Sequence, residues 1–94
     1  MRLREKEKKI ILKAIRHIDP EARIFLFGSR VDDTRRGGDI DILILTEKMT
    51  YDDKLAVKKE FFHELEEQKI DIVISKHGEE PFVKMIFEQG IELQ

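Results

Sequence analysis

From Asp39 the chain reads Asp-Ile-Asp-Ile-Leu-Ile-Leu, closing at Leu45. The run is rich in β-branched residues and, beyond Asp41, apolar on both faces, so it predicts a strand and a fold organised around a sheet. Two more runs are of the same kind. Arg23 to Phe27 (R-I-F-L-F) is bounded by Pro20 and Gly28, and Ile70 to Ile74 reads I-D-I-V-I. Between and around them the period changes to that of a helix. Arg4 to His17 sets Ile10, Ile11, Ala14, Ile15 and Ile18 on one stripe and is stopped at Asp19-Pro20, because proline cannot continue the hydrogen-bond ladder. Tyr51 to Gln68 predicts a second helix, with Leu55, Phe61, Phe62 and Leu65 on its core side. Pro81 to Gln89 predicts a third, with proline in the first turn and Gly90 as its end. Gly28 to Gly38 is polar and turn-rich and predicts a loop. The expected order is α-β-β-α-β-α. That is an α/β (α+β) domain: a small mixed sheet of three or more strands with helices packed on one face. The pattern leaves open which neighbouring strands run parallel.

Ninety-four residues suffice for one compact domain with one core, and not for two. The chain is 40% hydrophobic and 40% charged, which predicts a folded domain with a highly charged surface rather than disorder. Lys and Arg (18) nearly balance Asp and Glu (20), and the net charge of −2 predicts no general attraction to DNA or anionic lipid. The absence of cysteine excludes disulfides, zinc–thiolate sites and thiol chemistry. Met1 to Lys9 has no apolar signal core, and no run of about 18 apolar residues occurs, so the expected location is the cytoplasm, without a membrane span.

Two of the three strands carry aspartate inside apolar sequence, where it is normally depleted. Asp39 and Asp41 lie two apart on one strand, so their side chains share a face, with Cα atoms about 6.5–7 Å apart. Asp71 belongs to the third strand and joins them if that strand lies alongside, at roughly 4.8 Å. Three clustered carboxylates repel unless a cation neutralises them, and hard oxygen ligands favour Mg²⁺, with Mn²⁺ as a substitute. The turn after the first strand supplies complementary chemistry. Gly28 allows close backbone approach, Ser29 offers a hydroxyl and an amide to phosphate oxygens, and Arg30, Arg35 and Arg36 bring positive charge. A phosphate cradle facing a carboxylate–metal cluster describes a nucleotide-dependent transfer site.

Gly28-Ser29, followed after nine residues by Asp39-Ile40-Asp41, resembles the glycine–serine and D-x-D signature of the polymerase-β-like nucleotidyltransferase superfamily. The similarity is to its minimal nucleotidyltransferase (MNT) branch and covers most of the chain, including the I-D-I-V strand and the closing helix. Gly38 departs from the pattern, since members often carry serine there. The resemblance implies that Asp39 and Asp41 hold metal, that Asp71 helps bind it and activates the acceptor hydroxyl, and that Gly28 and Ser29 hold the triphosphate, with Arg30 beside them. It implies further that AMP from ATP passes to a tyrosine of a partner protein. In this branch the partner is commonly a separately encoded HEPN toxin, and the MNT protein is its antitoxin.

Other residues take ordinary readings. His17, His63 and His77 share no metal-ligand spacing. Phe25, Phe27, Phe61, Phe62, Phe82 and Phe87 follow the apolar stripes and are expected in the core rather than as a base-stacking platform. Two other functions compete with catalysis on a protein acceptor. One is a binding module that neutralises its partner by contact, for which Tyr51, Leu55 and Phe62 on the charged second helix would offer a surface. The other is transfer to a small molecule, ranked last because larger relatives of that kind use a second domain to hold the acceptor. The surface also permits a homodimer.

Overall fold

The structure, a computed structural model, describes residues 4–28, 40–64 and 70–94. Among these residues the chain forms α1 (Glu5–Ile18), β1 (Arg23–Phe27), β2 (Ile40–Leu45), α2 (Tyr51–Glu64), β3 (Ile70–Ser75), α3 (Pro81–Gln89) and β4 (Ile91–Leu93). The sheet order is β3-β2-β1-β4. β1 runs antiparallel to both β2 and β4, whereas β2 and β3 run parallel. The predicted α+β class and element order are those observed. The parallel pair follows from connectivity: α2 carries the chain back along the sheet between β2 and β3, as a parallel crossover requires.

Alternation along the strands sorts the core into two layers. Ile24 and Leu26 of β1, Ile40, Ile42 and Ile44 of β2, and Ile70 and Ile72 of β3 pack against Ile11, Leu12 and Ile15 of α1 and Val57 and Phe61 of α2. On the opposite face Phe25 and Leu43 meet Val83 and Ile86 of α3, with Phe27 and Val73 packed beside them. The expected single helical layer is thus the pair α1 and α2, and the short α3 covers the other face. A β2 strand apolar on both sides requires such cover.

α1 starts with Glu7 reaching back to accept the Arg4 amide at 3.0 Å. α2 starts with the reciprocal pair of Thr50 and Asp53, each side chain accepting the other's amide. The core side of α2 differs from the sequence expectation. Val57 and Phe61 are buried, whereas Leu55 and Phe62 are 44% and 46% exposed; Leu65 lies outside the described residues. Helical geometry puts the two pairs on stripes roughly 130° apart. The helix therefore carries two apolar stripes, and contact with α1 and β3 selects one of them.

β4 was not expected from the sequence, because three residues (Ile91-Glu92-Leu93) are too few to show a period. Its pairing with β1 covers what would otherwise be an exposed strand edge. Arg23 clasps Glu92 through two hydrogen bonds of 3.0 Å, which hold the Glu92 carboxyl below its ordinary range. With Arg23 more than half exposed, the pair contributes about 1 kcal/mol at most.

One buried polar contact ties α1 to the sheet. Asp19, only 3% exposed, ends α1, accepts the Glu21 amide at 3.0 Å and receives a hydrogen bond from the Thr46 hydroxyl just beyond β2. The Thr46 bond, aided by the Glu21 amide and the charge of Lys48, holds the Asp19 carboxyl below its ordinary value of 3.8, although burial opposes this. A depressed native pKa means that the unfolded chain takes up the proton first. This contribution to stability is therefore complete well above pH 3.8 and is lost as pH falls from there through the lower native value. Thr46→Val should cost about 1–3 kcal/mol by leaving a buried acceptor without its partner. It should also flatten the fall of the urea midpoint between about pH 5 and pH 3. An unchanged midpoint and pH profile would show that the contact is incidental.

Candidate functional site

The parallel register of β2 on β3 sets Asp41 directly beside Asp71. The antiparallel register of β1 on β2 sets Phe27 opposite Asp41 on the other side. Gly28 follows Phe27, with a left-handed backbone (φ +76°) that residues other than glycine rarely adopt. A Cβ placed on Gly28 would fall 2.3 Å from Asp41 Oδ2, so the turn is folded closely against that carboxylate. One row across the sheet thus reads Phe27, Asp41, Asp71, with the Gly28 turn folded against Asp41, and it lies on the face that α3 covers only in part. Strand pairing that buries isoleucine on the α1–α2 face necessarily turns both aspartates to this side, since side chains alternate.

Asp41 is half-buried. The Asp71 side chain is 45% exposed and lies 3.9 Å from the ammonium of Lys58 on α2. Lys58 was not singled out in the sequence. Its only signal there is a position four residues before Phe62 on a helix rich in lysine, which does not separate it from its neighbours. Ser29, Arg30, Arg35, Arg36 and Asp39 lie outside the described residues. Among those described, no three histidine or acidic side chains are arranged to hold a metal ion. Two carboxylates on adjacent strands, with a backbone turn too close for any Cβ, bring together oxygen donors of the kind that hard divalent cations prefer. His17 lies in the last turn of α1, His63 in the last turn of α2 and His77 just after β3.

A hollow of about 720 Å³ lies elsewhere, between α1 and α2 on the opposite face. Ile10, Ala14, Ala56 and Val57 line it beside scattered charges, without the aspartate row. Among the described residues, no helix is long and apolar enough to cross a membrane.

A four-stranded mixed sheet with α1 and α2 on one face, α3 on the other and a carboxylate near the start of each of the parallel strands β2 and β3 defines an α+β domain with an acidic pair on one sheet face. Solved structures share this architecture. The chain superposes on part of a MntA-HpeT toxin–antitoxin mutant with a TM-score of 0.73 at 22% identity, covering 93% of this chain and 71% of that one. A Shewanella oneidensis complex of a tri-AMPylated HEPN toxin with its MNT antitoxin gives 0.71 at 22% identity, with 94% and 69% covered. A toxin–antitoxin structure with AMP-PNP gives 0.74 at 25% identity, with 93% and 72% covered. None of the curated proteins matches the sequence. The model of the nucleotidyltransferase domain matches residues 8–93, and the chain belongs to that family.

Proposed function

We propose that this nucleotidyltransferase domain transfers AMP from ATP to a hydroxyl of a partner protein and acts as the antitoxin of a HEPN-type toxin. The observation that carries the reading is the register of Asp41 beside Asp71 on adjacent strands, with the Gly28 turn packed against Asp41. Asp41 and Asp71, with Asp39 from the D-x-D motif, would hold Mg²⁺ or Mn²⁺. The ion would supply Lewis-acid stabilisation of phosphoryl oxygens. Gly28 and Ser29 present backbone and hydroxyl groups to the triphosphate, with Arg30 adding charge. Asp71 takes the proton of the acceptor hydroxyl as its oxygen bonds to the α-phosphorus and pyrophosphate leaves. The relatives crystallised as toxin–antitoxin complexes, one with an AMPylated HEPN toxin and one with AMP-PNP, support the choice of substrate and partner.

Incubating the protein with ATP, Mg²⁺ and its HEPN-type partner should add AMP mass to the partner, at tyrosine, as read by intact-mass and peptide spectrometry. A partner that binds but never gains mass would remove the enzymatic reading. A second reading, neutralisation by contact alone, has its own support in the exposed α2 stripe of Tyr51, Leu55 and Phe62, where Tyr51 is 67% exposed. Asp39→Asn with Asp41→Asn separates the two. Neutralisation that survives the double change belongs to binding, and neutralisation lost with affinity intact belongs to catalysis.

A further inference from the structure

α3 crosses the sheet on the face that carries Asp41 and Asp71, and its Val83 and Ile86 are buried there. A phenylalanine flanks this buried pair on each side, roughly 70° around the helix from its centre. The two rings make different contacts. Phe87 tilts onto Phe25 with centroids 5.0 Å apart, and its ring edge lies near Gly78 in the turn after β3. Phe82 instead meets Phe27 edge to face, with centroids 5.8 Å apart and planes at 85°. Phe27 is the residue that precedes Gly28 and opposes Asp41. Phe82 is nonetheless 47% exposed. The sequence reading placed it in the core. The structure leaves nearly half its surface open, beside the row of site residues.

We propose that Phe82, held by its edge-to-face contact with Phe27, is the wall against which the base of the bound nucleoside triphosphate stacks. The inference rests on the nucleotidyltransferase reading and assigns the part of the nucleotide that the carboxylate row and the glycine turn leave unbound. A triphosphate engaged by the Gly28 turn and Asp41 must send its sugar and base out over the same face of the sheet. There the exposed aromatic ring beside Phe27 is Phe82. An edge-to-face contact restrains the outer ring, nearly half of whose surface stays open, so less ordering cost is left for a stacking partner. Every base has a π-face, so such a wall supplies affinity and does not choose between bases.

The test uses the whole chain with Mg²⁺ and two calorimetric probes, AMP-PNP and inorganic tripolyphosphate. The wild type should bind AMP-PNP about tenfold or more tightly than tripolyphosphate, the usual increment for one stacked base. Phe82→Ala and Phe82→Leu should both erase that difference while leaving tripolyphosphate affinity unchanged, and Phe82→Trp should keep it. Leucine retains the apolar bulk, so a loss there reports stacking rather than packing, and the melting temperature of each variant verifies its fold. Phe87→Ala, on the far flank of the same helix, should leave both affinities as they are. Equal binding of the two probes by the wild type, or undiminished AMP-PNP affinity in Phe82→Leu, overturns the assignment and leaves the nucleotidyltransferase reading standing. Undiminished affinity with loss of partner binding would reassign Phe82 to protein contact. If the wild type binds neither probe, the nucleotidyltransferase reading fails and the wall falls with it.

Discussion

Asp41→Asn should lower nucleotidyl transfer by about 10²- to 10³-fold, because the amide keeps the side-chain shape and removes a charge that a divalent ion requires. Metal–oxygen stabilisation of phosphoryl transfer is worth several kcal/mol, and each 1.4 kcal/mol is a factor of about ten in rate. Asp41 sits in the middle of the row, between the Gly28 turn and Asp71, so both nucleotide binding and transfer should suffer. Calorimetry with Mg²⁺ and AMP-PNP should show the metal-dependent part of binding gone, while far-ultraviolet circular dichroism stays that of the wild type. Asp71→Asn lies one strand further from Gly28 and is half-exposed beside Lys58. It should reduce transfer more than nucleotide affinity. Should Asp41→Asn bind metal–nucleotide as well as the wild type, the row is not the site.

Gly28→Ala should be damaging in two ways that a second glycine separates. Gly28 and Gly78 have nearly the same left-handed backbone, φ +76° and +72°. An alanine at either position pays about 1–2 kcal/mol for that conformation. In a domain of this size such a loss lowers the melting temperature by very roughly 4–16 °C. What the new methyl meets differs. At Gly78 it approaches the Phe87 ring at 3.0 Å, the far end of a half-exposed side chain that can shift. At Gly28 it would sit 2.3 Å from Asp41 Oδ2, so either the turn or the carboxylate must move. Both variants should therefore melt lower, but Gly28→Ala alone should also lose about 10²-fold or more in transfer, because misplacing a reacting group by an ångström costs that much. Equal activity in the two variants would detach the turn from the chemistry.

Much of this was legible in the chain because it depends on local pattern. β1 and α3 occupy the predicted spans, β2 does so over its described residues, and β3 runs one residue further. Short apolar runs between proline, glycine and charge leave few alternatives. Gly28 and the aspartates stood out because each breaks the pattern around it: a glycine closing a strand, and carboxylates among isoleucines. Three things were not legible. The core side of α2 was legible only at Phe61, which is buried as expected, since Leu55 and Phe62 form as good a stripe as Val57 and Phe61 and only the neighbouring α1 and β3 decide which is buried. β4 is too short to carry a period. Phe82 has the same local surroundings as a core phenylalanine, and its exposure depends on where α3 crosses the sheet.

By itself the sequence determined the element order, the absence of thiol chemistry and a carboxylate among isoleucines on each of two strands, because these follow from composition and from periods of 2 and 3.6 residues. Tertiary structure decided that β2 and β3 run parallel in the register that sets Asp41 beside Asp71. It also decided that the Gly28 turn closes on Asp41, that Lys58 reaches Asp71, and that α3 lies on the site's face with Phe82 open beside Phe27. These are contacts between residues distant in the chain. Their geometry is set by how the apolar faces pack, and no local stretch of sequence encodes that alone.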